Sequence, residues 1–123
     1  MTQEDKDLLF RDLCARIPYN VKCYNSKYRS DLAEEIICIT VNYNHPCVQL
    51  GTYLYKLEQV KPYLFPFSSM TEEQKLMYEG LMIGTDNISY ILDVIDWLNA
   101  HHFDYRGLIE KGLAIDATGL NIY

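Results

Sequence analysis

Apolar residues recur at two different spacings along the chain, and the change of spacing divides it into a helical start, a strand-rich middle and a helical second half. At the start, Leu9, Leu13 and Ile17 lie four residues apart, which predicts an amphipathic helix over 3–17. Pro18 ends this helix because the proline ring clashes with the preceding turn and has no N–H to donate.

The middle of the chain has the spacing of two that is typical of β-strands. Residues 36–43 form the strongest predicted strand, and 47–55 is predicted to return beside it with a bulge at Gly51. The Asn-His-Pro sequence at 44–46 supplies the turn, so we predict an antiparallel hairpin over 36–55. We expect the more apolar face of the first strand to pack on the core. That face carries Ile37, Ile39, Val41 and Tyr43.

An extended segment at 61–67 leads into the helical second half, because its prolines disfavour helix at the residues before them. A capping box at 69–72 predicts a helix over 70–82. Turn-forming residues at 84–87 end that helix, and a second one follows over 88–100. We expect one apolar face of the second helix in the core, with a second apolar stripe flanking it. The flanking stripe carries Tyr90, Val94 and Trp97, and the first face carries Ile88, Ile91, Leu92, Ile95 and Leu98.

Together these elements predict one α+β domain over residues 1–123: an N-terminal helix, a small antiparallel sheet and a helical C-terminal half. A chain of this length can bury roughly two thirds of its unfolded surface, so it needs no disulfide or metal to fold. The 11 Tyr residues suit half-buried sheet positions, and the short Tyr-rich strands suggest that the sheet curls towards an SH3-like barrel.

The formal net charge of −6 narrows the range of partners. The sequence has no cluster of Lys and Arg, which argues against direct nucleic-acid binding. No apolar run approaches the ~20 residues of a membrane span, and the acidic start lacks the apolar segment of a signal peptide, so we expect a cytoplasmic protein with no membrane partner. Its four cysteines should then be reduced and buried. They are Cys14, Cys23, Cys38 and Cys47.

The densest chemistry lies at 96–109, which holds the only Trp, two of the three His, and an Asp and an Arg around a Tyr. Arg106 could clamp a phosphate or a carboxylate, and Tyr105 or Trp97 could stack on a base. This pattern is typical of a small-ligand site. The candidate ligand-binding residues are Trp97, His101, His102, Asp104, Tyr105 and Arg106.

The same segment has a structural interpretation. His residues near a helix C-terminus interact favourably with its free carbonyls. Asp104 could cap a short helical turn at 107–111, and Arg106 could pair with Glu110. Adjacent His side chains point about 100° apart on a helix and rarely share one metal ion. We therefore predict no metal site here.

Four segments are distinctive in combination: DLCARIPY at 12–19, VKPYLFP at 60–66, SSMTEE at 68–73, and residues 96–112. Together they resemble a family of short, uncharacterised proteins encoded by gut bacteria, their phages and other mobile elements. The resemblance implies a cytoplasmic protein from such a setting, and it assigns no catalytic residue.

Signatures of common enzyme mechanisms are missing, since the sequence has no glycine-rich phosphate loop, nucleophile elbow or zinc-hydrolase pattern. We predict no catalytic residue and no cofactor. With the setting that the resemblance implies, the expected function is that of a non-enzymatic interaction protein of phage or mobile-element origin, which binds a host or phage protein. The alternative is a small-ligand binder, such as a sponge for a nucleotide signal, that uses the candidate residues at 96–109.

Overall fold

A computed structural model describes residues 1–27, 33–42, 45–83 and 87–123. One helix comes first, five strands follow, and two helices precede a short last strand, which confirms the α+β class. The helices are α1 (Gln3–Arg16), α2 (Glu72–Met82) and α3 (Ile88–Ala100). The strands are β1 (Lys22–Asn25), β2 (Glu34–Asn42), β3 (His45–Leu50), β4 (Tyr53–Lys56), β5 (Val60–Leu64) and β6 (Ile115–Asp116).

The six strands form one open sheet in the order β4-β3-β2-β1-β5-β6. The β5–β6 pair is parallel and the other neighbouring pairs are antiparallel, so the sheet is mixed rather than purely antiparallel. In the described part of the chain, β4 and β6 are the edges and do not pair with each other. The expected SH3-like barrel is therefore not confirmed, because β6 from the C-terminal tail takes the outer edge of β5.

The predicted N-terminal helix is confirmed. It begins at a capping box, in which the Thr2 hydroxyl accepts a hydrogen bond from the Asp5 N–H at 3.1 Å. The predicted proline stop lies in a 3₁₀ turn directly after the helix. Leu9 and Leu13, which share the predicted apolar face, are fully buried.

The predicted hairpin is present, since β2 and β3 pair along most of their length. Its predicted core face is partly wrong, because a bulge between Ile36 and Cys38 shifts the alternation by one residue. As a result Ile36 is buried and Ile37 is exposed. Past the bulge, Ile39 packs against the core as predicted, whereas Val41 is exposed. Residues 43–44, which carry the end of the predicted strand and the start of the predicted turn, lie outside the described residues.

The predicted returning strand at 47–55 is in fact two strands, β3 and β4, joined by a tight turn at Gly51. Gly51 has a φ of +58°, which glycine adopts without the steric penalty of a side chain. The extended segment predicted at 61–67 contains most of β5, which lies inside the sheet between β1 and β6 rather than serving as a linker.

Both predicted C-terminal helices are present. α2 begins two residues later than predicted, because its N-cap is Thr71, whose hydroxyl accepts a hydrogen bond from the Gln74 N–H. The Ser69 hydroxyl instead donates to the Pro66 carbonyl in the preceding turn. Residues 84–86, where the break between the helices was predicted, lie outside the described residues.

The face on which α3 packs differs from the predicted one. Val94 and Leu98 are buried, but Ile88, Ile91 and Leu92 are exposed. The helix rests on Met70 and Phe103 through the side that carries Val94 and Leu98. Of the five residues expected in the core, Leu98 alone is buried.

The interior has two apolar clusters, one between α1 and the sheet and one beneath α3. Cys23 belongs to the larger cluster, whereas Cys14 is exposed and Cys38 and Cys47 are half-buried. The expectation of four buried thiols therefore holds for Cys23 alone. The larger cluster comprises Leu9, Leu13, Val21, Cys23, Ile36, Val48, Leu50, Tyr55, Leu57, Val60, Leu64, Leu108, Leu113 and Ala114.

Candidate functional site

Trp97 and His101 belong to an aromatic group that joins α2 to α3. The Trp97 ring lies nearly parallel to that of Phe103 at 5.7 Å between centroids, and Tyr78 of α2 stacks on it at 6.2 Å. The His101 ring lies 4.4 Å from the Trp97 ring, and its Nδ1 is 2.9 Å from the Trp97 carbonyl oxygen. These contacts fit the helix-end interpretation of His101.

His102 has different partners from its neighbour. It is buried, and its ring stacks on the ring of Tyr123 at 3.6 Å between centroids. Its φ of +62° places the backbone in the left-handed region. Burial lowers the pKa of His102 to about 4, and the positive charges of Arg16, His101 and Lys22 act in the same direction. The imidazole is therefore neutral at physiological pH.

Tyr105 and Arg106 face a buried ion cluster that begins on α1. Arg16 Nε donates a hydrogen bond of 2.7 Å to the Asp12 carboxylate, and both side chains are fully buried. Arg106 Nε lies 3.4 Å from the same carboxylate, so its acidic partner is Asp12 rather than the expected Glu110. The Tyr105 ring lies 5.0 Å from the Arg16 guanidinium carbon and 5.2 Å from that of Arg106.

The cluster ties α1 to the segment after α3. Arg16 Nη2 donates a 2.7 Å hydrogen bond to the Phe103 carbonyl, and the Tyr105 hydroxyl donates one of 2.8 Å to the Asn99 side chain. Burial raises the pKa of Asp12, while Arg16 and Arg106 oppose that shift. Each residue of this cluster therefore makes a contact that holds two parts of the fold together.

Asp104 is a backbone cap. Its two carboxylate oxygens accept hydrogen bonds from the N–H groups of Leu108 and Ile109, each at 2.9 Å. The capping role is as expected, but the segment it caps forms hydrogen-bonded turns and not the predicted short helix. Gly112, at a φ of +73°, follows these turns.

The six candidate ligand-binding residues divide among these four environments. A cavity of ≈ 240 Å³ opens beside this segment, and His101 is the one member of the six that lines it. Arg106 is the part of the ion cluster that reaches solvent, with 30% of its side chain exposed. Arg16 and Asp12 were missed by the sequence interpretation, although their spacing of four beside Leu9 and Leu13 is a signal that could have found them.

A larger groove of ≈ 630 Å³ lies between α1 and the strands β2 to β4. The Lys6–Glu58 ion pair, 3.1 Å long, lies on its wall. Across the described ranges we find no cluster of three or more His, Cys, Asp or Glu side chains that could hold a metal ion. None of the helices described is long and apolar enough to cross a membrane.

The most unusual exposed feature lies on α2 and α3, and none of the six candidate residues belongs to it. None of the 11 residues of α2 is buried, and Ile83, Ile88 and Leu76 are 87%, 76% and 70% exposed. Soluble proteins seldom leave so many large apolar side chains uncovered in one short stretch. We call these residues the α2–α3 surface. It comprises Leu76, Met77, Met82, Ile83, Ile88, Tyr90, Ile91 and Leu92.

Charge is concentrated on the same two helices. They carry five acidic side chains and one basic one, which sum to −4 of the net −6 of the whole chain. The single base, Lys75, already pairs with Glu72 at 3.3 Å. The α2–α3 surface thus lies on two helices with a net negative charge. The acidic residues are Glu72, Glu73, Glu79, Asp93 and Asp96.

Fold and surface together define an α+β protein with a buried ion cluster and with eight exposed apolar side chains on or beside two of its helices. Comparison with models of protein families, with curated proteins and with solved structures found no match for this chain.

Proposed function

We propose that this chain is a non-enzymatic interaction protein and that the α2–α3 surface binds its protein partner. The observation that supports this most strongly is the position of the exposed apolar side chains. Of the 16 large hydrophobic residues exposed in the described part of the chain, eight lie between Leu76 and Leu92. α3 is mostly apolar, yet the described part of the chain covers only the side that carries Val94 and Leu98.

The surface has the composition of a protein-binding site. Its core is made of Leu, Ile and Met with one Tyr, and Met adapts readily to the shape of a partner. The acidic side chains on the same two helices supply polar groups of the kind found at the rim of such sites. In the setting that the resemblance implies, the partner is a host or phage protein and the chain has a phage or mobile-element origin.

Capture from a bacterial lysate tests this function with two matched variants. Leu92 is 54% exposed and Leu54, on the sheet edge, is 49% exposed, so Leu→Glu at either position places a charge at a similarly open site. The site variant combines Leu76→Glu with Leu92→Glu, and the control is Leu54→Glu. We expect wild type and control to retain the same protein saturably, and the site variant to lose it. If all three retain the same proteins, or none retains any, the proposed function is wrong.

A second candidate function has one observation in its favour. Arg106 presents a guanidinium over the Tyr105 ring, and 30% of its side chain is exposed. Such a group could bind the phosphate of a nucleotide. A nucleotide panel should then raise the melting temperature of wild type but not of Arg106→Ala. The absence of any shift in wild type would remove this candidate.

A further inference from the structure

We infer that the occupant of the α2–α3 surface is a cationic amphipathic helix of the partner protein. The inference rests on the proposed function and specifies the chemistry of the partner. Two features support this inference. One is an open position on α2 where another helix can approach closely, which we call the notch, and the other is the excess of negative charge on α2 and α3.

The notch lies at Gly80. It is an exposed glycine inside α2, and a Cβ added there would meet no atom within 4 Å. Leu76 lies one turn before it and Ile83 about one turn after it on the same side of the helix. Two strongly exposed apolar side chains thus flank an open position, which is the shape that accepts a side chain from a packed helix.

The notch has no role within the fold that would explain a glycine. Its φ is not in the left-handed region, and glycine inside a helix is less favourable than alanine by roughly 0.5–1 kcal/mol. The glycine therefore weakens α2 while leaving room on its outer side. Room for an approaching backbone is the physical benefit that remains.

The charge selects a positive partner. The two helices carry −4, and Glu79 and Asp93 are both exposed. Lys and Arg on the borders of an apolar helical stripe would meet these carboxylates while the stripe covers the apolar residues. Such complementarity raises the association rate and sets the orientation of the bound helix.

The same charge disfavours the two other ways of covering the surface. In a symmetric dimer the same patch meets itself, so two sets of acidic side chains would face each other. The cytoplasmic face of a biological membrane carries anionic lipids, and these lipids would repel the acidic side chains of α2 and α3. A cationic helix is the occupant for which both the apolar contact and the charge are favourable.

Binding of designed peptides to the full chain tests the inference. One peptide of about five helical turns has Leu on one face and Lys on the other, and its match has Glu in place of each Lys. Titration calorimetry should give the Lys peptide at least roughly ten-fold tighter binding, and added salt should reduce the difference because it screens the charges. Equal affinity for the two peptides would overturn the inference.

Variants separate a docked helix from general charge attraction. Gly80→Leu fills the notch and should weaken binding of the Lys peptide several-fold, while α2 keeps its helical circular dichroism. Glu79→Gln with Asp93→Asn should weaken it too, whereas Glu35→Gln with Glu110→Gln, an equal change at exposed remote sites, should not. Equal losses from both pairs, or no effect of Gly80→Leu, would contradict docking at this surface.

Sedimentation of wild type and Gly80→Leu tests the dimer directly. We expect monomers from both; a dimer that Gly80→Leu dissociates would assign the surface to a second copy and overturn the inference. Failure of the inference is distinct from failure of the proposed function. Lysate capture that depends on Leu76 and Leu92, with no binding of the Lys peptide, rejects a cationic helix but leaves the function standing. If capture does not depend on Leu76 and Leu92 and the Lys peptide does not bind, both the inference and the proposed function are wrong.

Discussion

Both helical regions of this molecule bury apolar side chains, but α1 also buries charged ones and α3 leaves several apolar ones exposed. α1 buries a charged pair, Asp12 and Arg16, together with Leu9 and Leu13. α3 leaves Ile88 and Leu92 in solvent although no charged side chain competes for the buried side. Burial on α1 is therefore set by what lies opposite, namely the sheet and the segment after α3, and not by polarity alone.

This difference shows which contacts each region depends on. Around α1, the charges of the ion cluster are paired within the chain, so the stability of this region depends on contacts inside the fold. On α2 and α3, large apolar side chains such as Leu76, Ile83 and Leu92 are exposed, so we expect a partner to cover this surface. Substitutions in the two regions should therefore affect different properties, stability in one and binding in the other.

The largest effect is expected from Asp12→Ala. It leaves the fully buried Arg16 without its carboxylate, and breaking a buried pair in this way destabilises by about 3–5 kcal/mol. Chemical denaturation measures the loss. The double variant Asp12→Ala with Arg16→Met removes both charges and should recover part of it. A loss below about 1 kcal/mol in the single variant would mean that the cluster does not tie the fold together.

Truncating one leucine in each region compares them directly. Leu13→Ala empties a fully buried position and should lower the free energy of unfolding by about 2–5 kcal/mol. Leu92→Ala changes an exposed position and should lower it by about 0.5 kcal/mol or less. Similar losses at both positions, measured by the same denaturation experiment, would erase the distinction between the regions.

His102 should make the stability of the fold depend on pH. Its pKa falls from the ordinary value of 6.5 to about 4 on folding, so between these values the unfolded chain binds more protons. Stability is fully present above about pH 6.5 and is lost as pH falls towards 4, with a slope of at most ~1.4 kcal/mol per pH unit.

The variant His102→Asn is the control for this dependence. Asparagine tolerates the left-handed backbone of this position, at φ +62°, but does not titrate. We expect unfolding measured between pH 4 and 7 to show a shallower slope in the variant than in wild type. Identical slopes would show that other groups cause the dependence.

The smallest effect is expected from Gly80→Ala, and its sign is reversed. Because the added methyl group enters open space and alanine favours helix, the variant should be more stable by roughly 0.5–1 kcal/mol. Thermal or chemical denaturation measures the gain. A loss of stability would mean that another part of the protein already fills the notch, which contradicts the open surface on α2.

Periodicity was sufficient to find the helices and the hairpin, but not the sides they bury. The spacing that predicted α3 also placed Ile88 and Leu92 in the core, since a pattern of apolar residues does not state whether their neighbour belongs to the same chain. On β2 one bulge buried Ile36 in place of Ile37, because alternation is lost where a single residue is inserted.

The sequence identified the candidate residues at 96–109 by their side-chain types, but it did not predict most of their contacts. Asp104 was expected to cap the following turn and does so. The partner of Arg106 was missed because Asp12 lies 94 positions away in the sequence, and a contact of that range comes from packing. The β6 strand was missed for a similar reason: two residues are too few to show a period.

The oxidation rates of three methionines test most directly whether the α2–α3 surface is open in the free protein and covered by a partner. Met77 is exposed on this surface, Met1 is exposed at the N-terminus, and Met70 is buried. With dilute peroxide followed by mass spectrometry, we predict that Met77 oxidises about as fast as Met1 and much faster than Met70. In the captured complex Met77 should slow while Met1 does not. Slow oxidation of Met77 in the free protein, or an unchanged rate in the complex, would contradict the assignment of this surface to a partner.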